Sequence, residues 1–194
     1  MTNAREALTS TGKDGWRTPP GILAELDREF RFLLDAAAVP GDEAFPGRPS
    51  IGPFASPRGS LGVAWSDWIP DLVPSRFPPA VFVNPPYSKA GGPDGRGVER
   101  GIWTWHGKAW QESREGLTVV LLTPPTIDRT WFSDFGVRAD ELRIFRHRLA
   151  FVDPTTGRQV RGNTQGSALT IYRPHVPGGG WPGGPRVSLV ECRT

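Results

Sequence analysis

The tetrapeptide Asn84-Pro85-Pro86-Tyr87 closes an apolar run, Ala80, Val81, Phe82 and Val83, and leads into Ser88 and Lys89. A short β-branched and aromatic run bounded by prolines reads as a buried strand, which puts the tetrapeptide at the strand's carboxyl end. In open parallel α/β sheets, ligands bind at that end. Two successive prolines fix φ twice and remove two backbone donors, leaving a rigid rim of carbonyl acceptors. Such a rim suits an exocyclic amino group on a planar base, whose lone pair is delocalised into the ring. The Asn84 side-chain oxygen and the Pro85 carbonyl take its two hydrogens. Accepting them draws the nitrogen towards tetrahedral geometry and stabilises the positive charge that grows as it attacks an electrophilic methyl group. Tyr87 places a ring beside the same pocket, ready to stack on the base. A plain proline turn is the competing reading in a chain with 21 prolines.

The rest of the chain bounds what surrounds that strand. Its 194 residues suggest one domain large enough to bury a core, and eight Trp and ten Phe supply the material for it. With 24 Gly beside the prolines, long loops are expected rather than disorder. The single cysteine, Cys192, excludes an internal disulfide and a Cys-based zinc site and fits a reducing cytosol. Residues 1–13 are polar, no run reaches membrane-spanning length, and a soluble, untargeted protein is expected. Net charge is only +3, but 20 of the 23 basic residues are arginine, whose forked guanidinium suits phosphate. A GC-rich genome explains the same bias equally well.

Ahead of the tetrapeptide, Trp16, Arg17, Thr18, Pro19 and Pro20 precede Ile22, Leu23, Leu26 and Phe30, an apolar helical face. Thr18 reads as the N-cap with Pro19 at the first helical position. A capped helix start is also an anion site, so Thr18 is either a cap alone or the contact for a cofactor carboxylate. Phe32, Leu33 and Leu34 read as the first central strand, followed by Asp35 and the small residues Ala36, Ala37 and Ala38, which let a ligand approach the backbone. Residues 41–62 read as a long surface loop. Val63, Ala64 and Trp65 then suggest a short strand, followed by Ser66, Asp67 and Trp68.

Beyond it, residues 88–101 are glycine-rich, and 102–114 read as a helix with Trp103 and Trp110 turned inward. Residues 117–122 form the clearest buried strand, ending in polar groups that include Arg129. Residues 142–146 and 148–152 alternate apolar and basic residues as half-buried strands around a turn at 153–157. Five arginines and one acid fall between Arg143 and Arg161, an excess that points to nucleic-acid phosphate over a merely solvated face. Residues 167–172 read as the last core strand, and 174–185 as a linker before a strand-like 187–190. His106, His147 and His175 have no metal-ligand spacing.

Trp16-x-Thr-Pro, Leu34-Asp35-x-Ala-Ala, Asn84-Pro-Pro-Tyr-Ser, Leu121-Leu122-x-Pro with Arg129-x-Trp-Phe, Arg148-Leu149-x-Phe and Gly166-Ser167-x-Leu resemble, in this order, the phage-type DNA adenine (amino) methyltransferases. The resemblance spans about residues 14–173. It implies a class I methyltransferase fold, an α/β Rossmann-like and mostly parallel sheet with flanking helices and long Pro/Gly-rich loops. That domain would lie between a flexible N-terminus (1–13) and a Pro/Gly-rich tail (174–194). It further implies S-adenosylmethionine as donor and a flipped adenine in DNA as acceptor.

By the same resemblance Asn84, Pro85, Pro86 and Tyr87 are catalytic. Trp16, Thr18, Pro19, Asp35 and Ala36 meet the methionine end of the cofactor, and Asp67 with Trp68 its adenine. The local charge, with DNA as the implied acceptor, adds Ser88, Lys89, Arg129, Arg146, Arg148, Arg158 and Arg161 as expected DNA contacts. Neither metal nor membrane is implied, a monomer is expected, and the location is the cytoplasm, of a bacterial host if the gene is a phage's. The family's usual Gly-x-Gly is missing, with only Gly41 nearby. Two other readings compete: a methyltransferase acting on a glutamine amide of translation factors, which shares Asn-Pro-Pro-Tyr, and a binding protein that keeps the fold without catalysis.

Overall fold

The computed structural model describes residues 15–38, 44–52, 59–69, 78–87, 101–160, 165–174 and 184–191. In these, helices α1 (Pro20–Phe30), α2 (Ile102–Arg114) and α3 (Thr130–Asp134) accompany six strands: β1 (Leu34–Asp35), β2 (Ala80–Val83), β3 (Thr118–Thr123), β4 (Glu141–Phe145), β5 (Ala168–Tyr172) and β6 (Arg186–Val190). One sheet holds them in the order β1-β2-β3-β5-β4-β6. The fold is α/β, but the sheet is mixed and not mostly parallel: β1-β2, β2-β3 and β4-β6 run parallel, whereas β5 is antiparallel to both neighbours. β2, β3 and β5 are buried along their whole length, as expected of strands covered on both faces.

Alternation along these strands sorts the core into two halves. Val81, Val83, Val119 and Leu121 face Trp65, Trp105 and Ala109. Ala80, Phe82, Val120 and Leu122 face Ile22 and Leu26 of α1 together with Phe32, Phe45 and Phe151. The i, i+4 pair Ile22 and Leu26 is the buried stripe of α1, which ends at Arg31 in the left-handed region (φ 54°). Asp27 secures that end, accepting the Phe32 N–H (3.0 Å) and binding Arg48 through both oxygens (2.5 and 2.9 Å).

Several local expectations are corrected. Pro19, not Thr18, is the N-cap of α1 and Pro20 its first residue, because Thr18 is turned into the interior. The first strand begins at Leu34, two residues late. Residues 63–65 are not a strand: 3-10 turns occupy Ser60–Gly62 and Trp65–Trp68, and Trp65 is pinned by its indole N–H to Ser60 O (2.9 Å). On α2 the register puts Trp105 fully inside and leaves Trp103 44% exposed, with its indole N–H on Asp134 (2.7 Å). The loop read as surface contributes Phe45 to the core, against Phe32 (5.2 Å) and Phe82 (5.7 Å). Residues 148–152 form no strand, but Val152 bridges Gln159 on one side and Arg17 on the other.

Candidate active site

The parallel strands β1, β2 and β3 deliver their carboxyl ends side by side, since Leu34 is in register with Val81, and Val83 with Leu121. Asp35 closes β1 and Asn84 follows β2. A cavity of about 480 Å³ opens between these ends, the start of α1 and residues 44–48. Trp16, Thr18, Asp35 and Asn84 line it, with Phe82, Asp27, Phe45, Arg48 and Val152. Four residues expected to carry function, drawn from three separate stretches, therefore share one chamber.

Asn84 is oriented from both ends. Its Nδ2 donates to the Trp16 carbonyl (3.2 Å), and its Oδ1 accepts from the Tyr87 hydroxyl (3.0 Å). The same hydroxyl lies 3.3 Å from the Leu122 carbonyl. One proton thus has two acceptors within reach, so Tyr87 can turn to Leu122 when another donor claims Asn84. An amide oxygen has two lone pairs in any case. Pro85 and Pro86 are buried behind Asn84.

Asp35 is 5% exposed and accepts the backbone N–H groups of Ala37 (3.1 Å) and Ala44 (3.0 Å). Its carboxylate thereby shapes the turn of small residues and still keeps acceptor capacity. Thr18 is 4% exposed and its Oγ1 has no hydrogen-bond partner among the described residues. An orphaned buried hydroxyl costs about 1–3 kcal/mol, a cost that a ligand oxygen in this cavity would relieve.

Asp67 and Trp68 are not brought to this cavity. Both are exposed on the second 3-10 turn, and neither belongs to the lining. Pro19 and Ala36 flank lining residues without belonging to the lining themselves. Of the arginines, Arg143 is taken up by Glu29 (2.7 Å) and Glu141 (2.9 Å) as a link between α1 and β4. Arg146 pairs with Glu191 (3.1 Å), and Arg129 stands at 3.8 Å from Asp128. Arg148 is exposed just ahead of the 151–160 loop and Arg158 is exposed on it, and Val152 of that loop exchanges backbone hydrogen bonds with Arg17 (2.9 and 3.0 Å). That loop therefore stands at the cavity wall. Ser88, Lys89 and Arg161 lie outside the described residues.

Sequence reasoning missed Asp27, Phe45 and Arg48. The one available signal was Phe45, a large apolar residue inside a Pro/Gly-rich stretch.

Behind β3 lies a second polar cluster. His106 of α2 is fully buried, with Nδ1 2.8 Å from the Tyr172 hydroxyl, Nε2 3.3 Å from Thr123 Oγ1, and its ring stacked on Trp131 at 4.0 Å. Burial lowers its pKa from 6.5 to about 3 and raises that of Tyr172. The imidazole is thus neutral in the folded protein, while the unfolded chain takes up a proton below 6.5. Stability from this group is fully present above pH 6.5 and falls on acidification at up to about 1.4 kcal/mol per pH unit. Glu141 titrates lower. Burial raises its pKa, but Arg143 and Arg173 outweigh that and hold it below 4.5. Denaturant unfolding between pH 6.5 and 4.5 is therefore expected to show the slope in the native chain and lose it in His106→Gln.

Together, the sheet and the cavity define an α/β protein with a chamber beside a fixed asparagine side chain at a strand end. The model of the DNA N-6-adenine-methyltransferase (Dam) family matches residues 5–190, nearly the whole chain, and the chain belongs to that family. Comparison with curated proteins and with solved structures gave no match. Among the described residues, no helix is long and apolar enough to cross a membrane, and no cluster of His, Cys, Asp or Glu is arranged to hold a metal ion.

Proposed function

We propose that this protein transfers a methyl group from S-adenosylmethionine to the exocyclic amino group of a flipped adenine in DNA, on a class I methyltransferase fold. The observation that carries the reading is Asn84, fixed at the end of β2 on the wall of the cavity that also holds the unpartnered Thr18 hydroxyl. The residues present fit the cofactor: Thr18 offers a donor for its carboxylate, and Asp35 an acceptor for its ammonium. When bound, S-adenosylmethionine supplies an electrophilic methyl carbon.

The chain's own part is positioning and charge stabilisation. Asn84 Oδ1 and the Pro85 carbonyl hold the two amino hydrogens, so positive charge developing on the nitrogen meets fixed acceptors that need no reorganisation. As the base arrives, the Tyr87 hydroxyl turns from Asn84 Oδ1 to the Leu122 carbonyl, and its ring borders the base. The surplus proton departs to water once the nitrogen is positive, so no general base is required among residues 84–87. Extrusion of the adenine is required because its amino group is inaccessible within a duplex. Arg148 and Arg158, just ahead of and on the loop beside the cavity, and Arg129 on the turn after β3 are assigned to DNA phosphates, with Ser88, Lys89, Arg146 and Arg161 as further contacts.

Cofactor contacts have a distinctive expected signature. Asp35→Ala should weaken S-adenosylmethionine binding by about 1–3 kcal/mol, and Asp67→Ala should leave it unchanged because Asp67 is off the cavity. Thr18→Val should weaken binding while leaving the unliganded protein as stable or more so, since an unpaired hydroxyl is removed. Calorimetric titration with parallel thermal unfolding checks all three.

The function itself is tested by incubation with methyl-labelled S-adenosylmethionine and DNA of mixed sequence, with a release-factor protein alongside. Label in DNA supports the reading. Label in the protein alone would make this an amide methyltransferase, and cofactor binding with no transfer would make it a binding protein.

A further inference from the structure

Three residues of the chamber wall, Asp27, Phe45 and Arg48, have no part in the chemistry described above. They belong to one construction. Phe45, Pro46, Gly47 and Arg48 make a turn in which the Arg48 N–H donates to the Phe45 carbonyl (3.1 Å), with proline second and a glycine at φ 79° third, as a type II turn requires. The buried Phe45 ring roots this turn in the core, and the Arg48 guanidinium lies over the ring, 5.2 Å from its centroid. From there the fork reaches two elements at once. Nη1 donates to Asp27 Oδ1 of α1 (2.5 Å) and to the carbonyl of Phe32 (2.6 Å), three residues ahead of Asp35, while Nη2 donates to Asp27 Oδ2 (2.9 Å).

The main chain on either side of this turn encloses Asp35. Ahead of the turn, the Ala44 N–H donates to Asp35 Oδ2 (3.0 Å). Behind it, the Asp35 N–H donates to the Pro49 carbonyl (3.2 Å) and the Ile51 N–H to the Asp35 carbonyl (2.9 Å). Arg48 therefore stands between the two stretches that fix Asp35, and its side chain fastens them to α1 and to the approach to β1. A buried carboxylate is aimed only as well as its donors are held, and the Ala44 N–H keeps its place through the turn that follows it.

Resting on the assignment of Asp35 to the cofactor ammonium, we propose that Arg48 is a positioning residue for cofactor binding. By fastening the 45–48 turn to Asp27 and the Phe32 carbonyl, it holds the Ala44 N–H, and through that donor the Asp35 carboxylate, in the orientation that receives the ammonium. Arg48 acts here without touching the cofactor. Lysine is no substitute, since a point charge cannot take both Asp27 oxygens and the carbonyl in one planar fork.

The test combines hydrogen exchange of the unliganded protein with calorimetric titration of S-adenosylmethionine. In Arg48→Met, which keeps the stem over Phe45 and loses the donors, exchange at the Ala44 amide is expected to quicken by roughly tenfold before any ligand is added. Cofactor binding should weaken by roughly three- to tenfold, the worth of one ordered hydrogen bond, with Arg48→Lys between Arg48→Met and wild type. The double variant separates positioning from mere support of the fold. In the Asp35→Ala background, Arg48→Met should weaken binding by no more than about twofold further, because the group it positions is gone. A full further loss in that background, undiminished binding in Arg48→Met alone, or unchanged exchange at Ala44 overturns the positioning role. If Arg48→Met does not fold, Arg48→Lys read through the same cycle gives the answer. Wild-type protein that binds no S-adenosylmethionine overturns the cofactor assignment itself, and the role of Arg48 with it.

Discussion

In Asn84→Ala, methyl transfer to DNA is expected to slow by about 100-fold or more, the usual loss when a preorganised charge-stabilising group is removed. Affinity for S-adenosylmethionine should change little, because among the described residues Asn84 is tied to the cofactor-side wall by one part-buried bond, to the Trp16 carbonyl. Asn84→Asp separates the two roles of the amide. It keeps acceptor oxygens but loses the donor to Trp16, so its loss should be smaller than that of the alanine variant. Turnover measured on saturating DNA and cofactor reads the difference. Near-native turnover in a folded Asn84→Ala enzyme would remove Asn84 from the chemistry.

The largest expected effect on stability lies away from the cavity, at Glu112. Its side chain is 3% exposed and pairs with Lys108 at 2.5 Å, while its other oxygen accepts the Trp65 N–H at 3.1 Å. Lys108 also donates to the Val63 carbonyl at 2.6 Å. This cluster fastens α2 to the segment that buries Trp65. Glu112→Ala leaves the half-buried Lys108 ammonium without its carboxylate and the buried Trp65 N–H unsatisfied, for a loss of about 3–5 kcal/mol. In a chain of this length that lowers the melting temperature by roughly 10 °C. Removing both charges, Lys108→Met with Glu112→Leu, should cost clearly less than Glu112→Ala alone, because no buried charge is left behind. Thermal unfolding of the three proteins decides it. If the double variant is the least stable, the pair itself, and not the orphaned charge, is what matters.

The sequence made the strands legible where apolar runs were continuous. β2 and β3 are covered on both faces, and such runs leave little else for a chain to do. The meeting of Trp16, Thr18, Asp35 and Asn84 was legible only through family resemblance, since nothing local to these stretches says that they touch. The mixed sheet was not legible: β5 runs antiparallel between β3 and β4, and direction depends on how the connections pass, not on the pattern within the strand. Local rules failed where tertiary contacts overrode them. Thr18 is a good cap by type, yet its side chain is drawn inside, and Pro19 takes the position. Of Trp103 and Trp110, seven residues apart on α2, Trp110 packs against the core as expected but Trp103 is exposed, and it is Trp105 and Ala109 that lie fully inside. Phe45 joins a three-ring cluster across the sheet from a loop whose composition alone reads as solvent-facing. The arginine excess at 143–161 overstated what is available to a phosphate, because Arg143 is taken up by Glu29, far away in sequence.

The central claim is a transfer to one atom of one base, and the product reports it directly. DNA incubated with the protein and methyl-labelled S-adenosylmethionine is digested to nucleosides and resolved by mass. The label is expected in N6-methyladenine. Label confined to a cytosine derivative, or an unlabelled digest from protein that binds the cofactor, would contradict it.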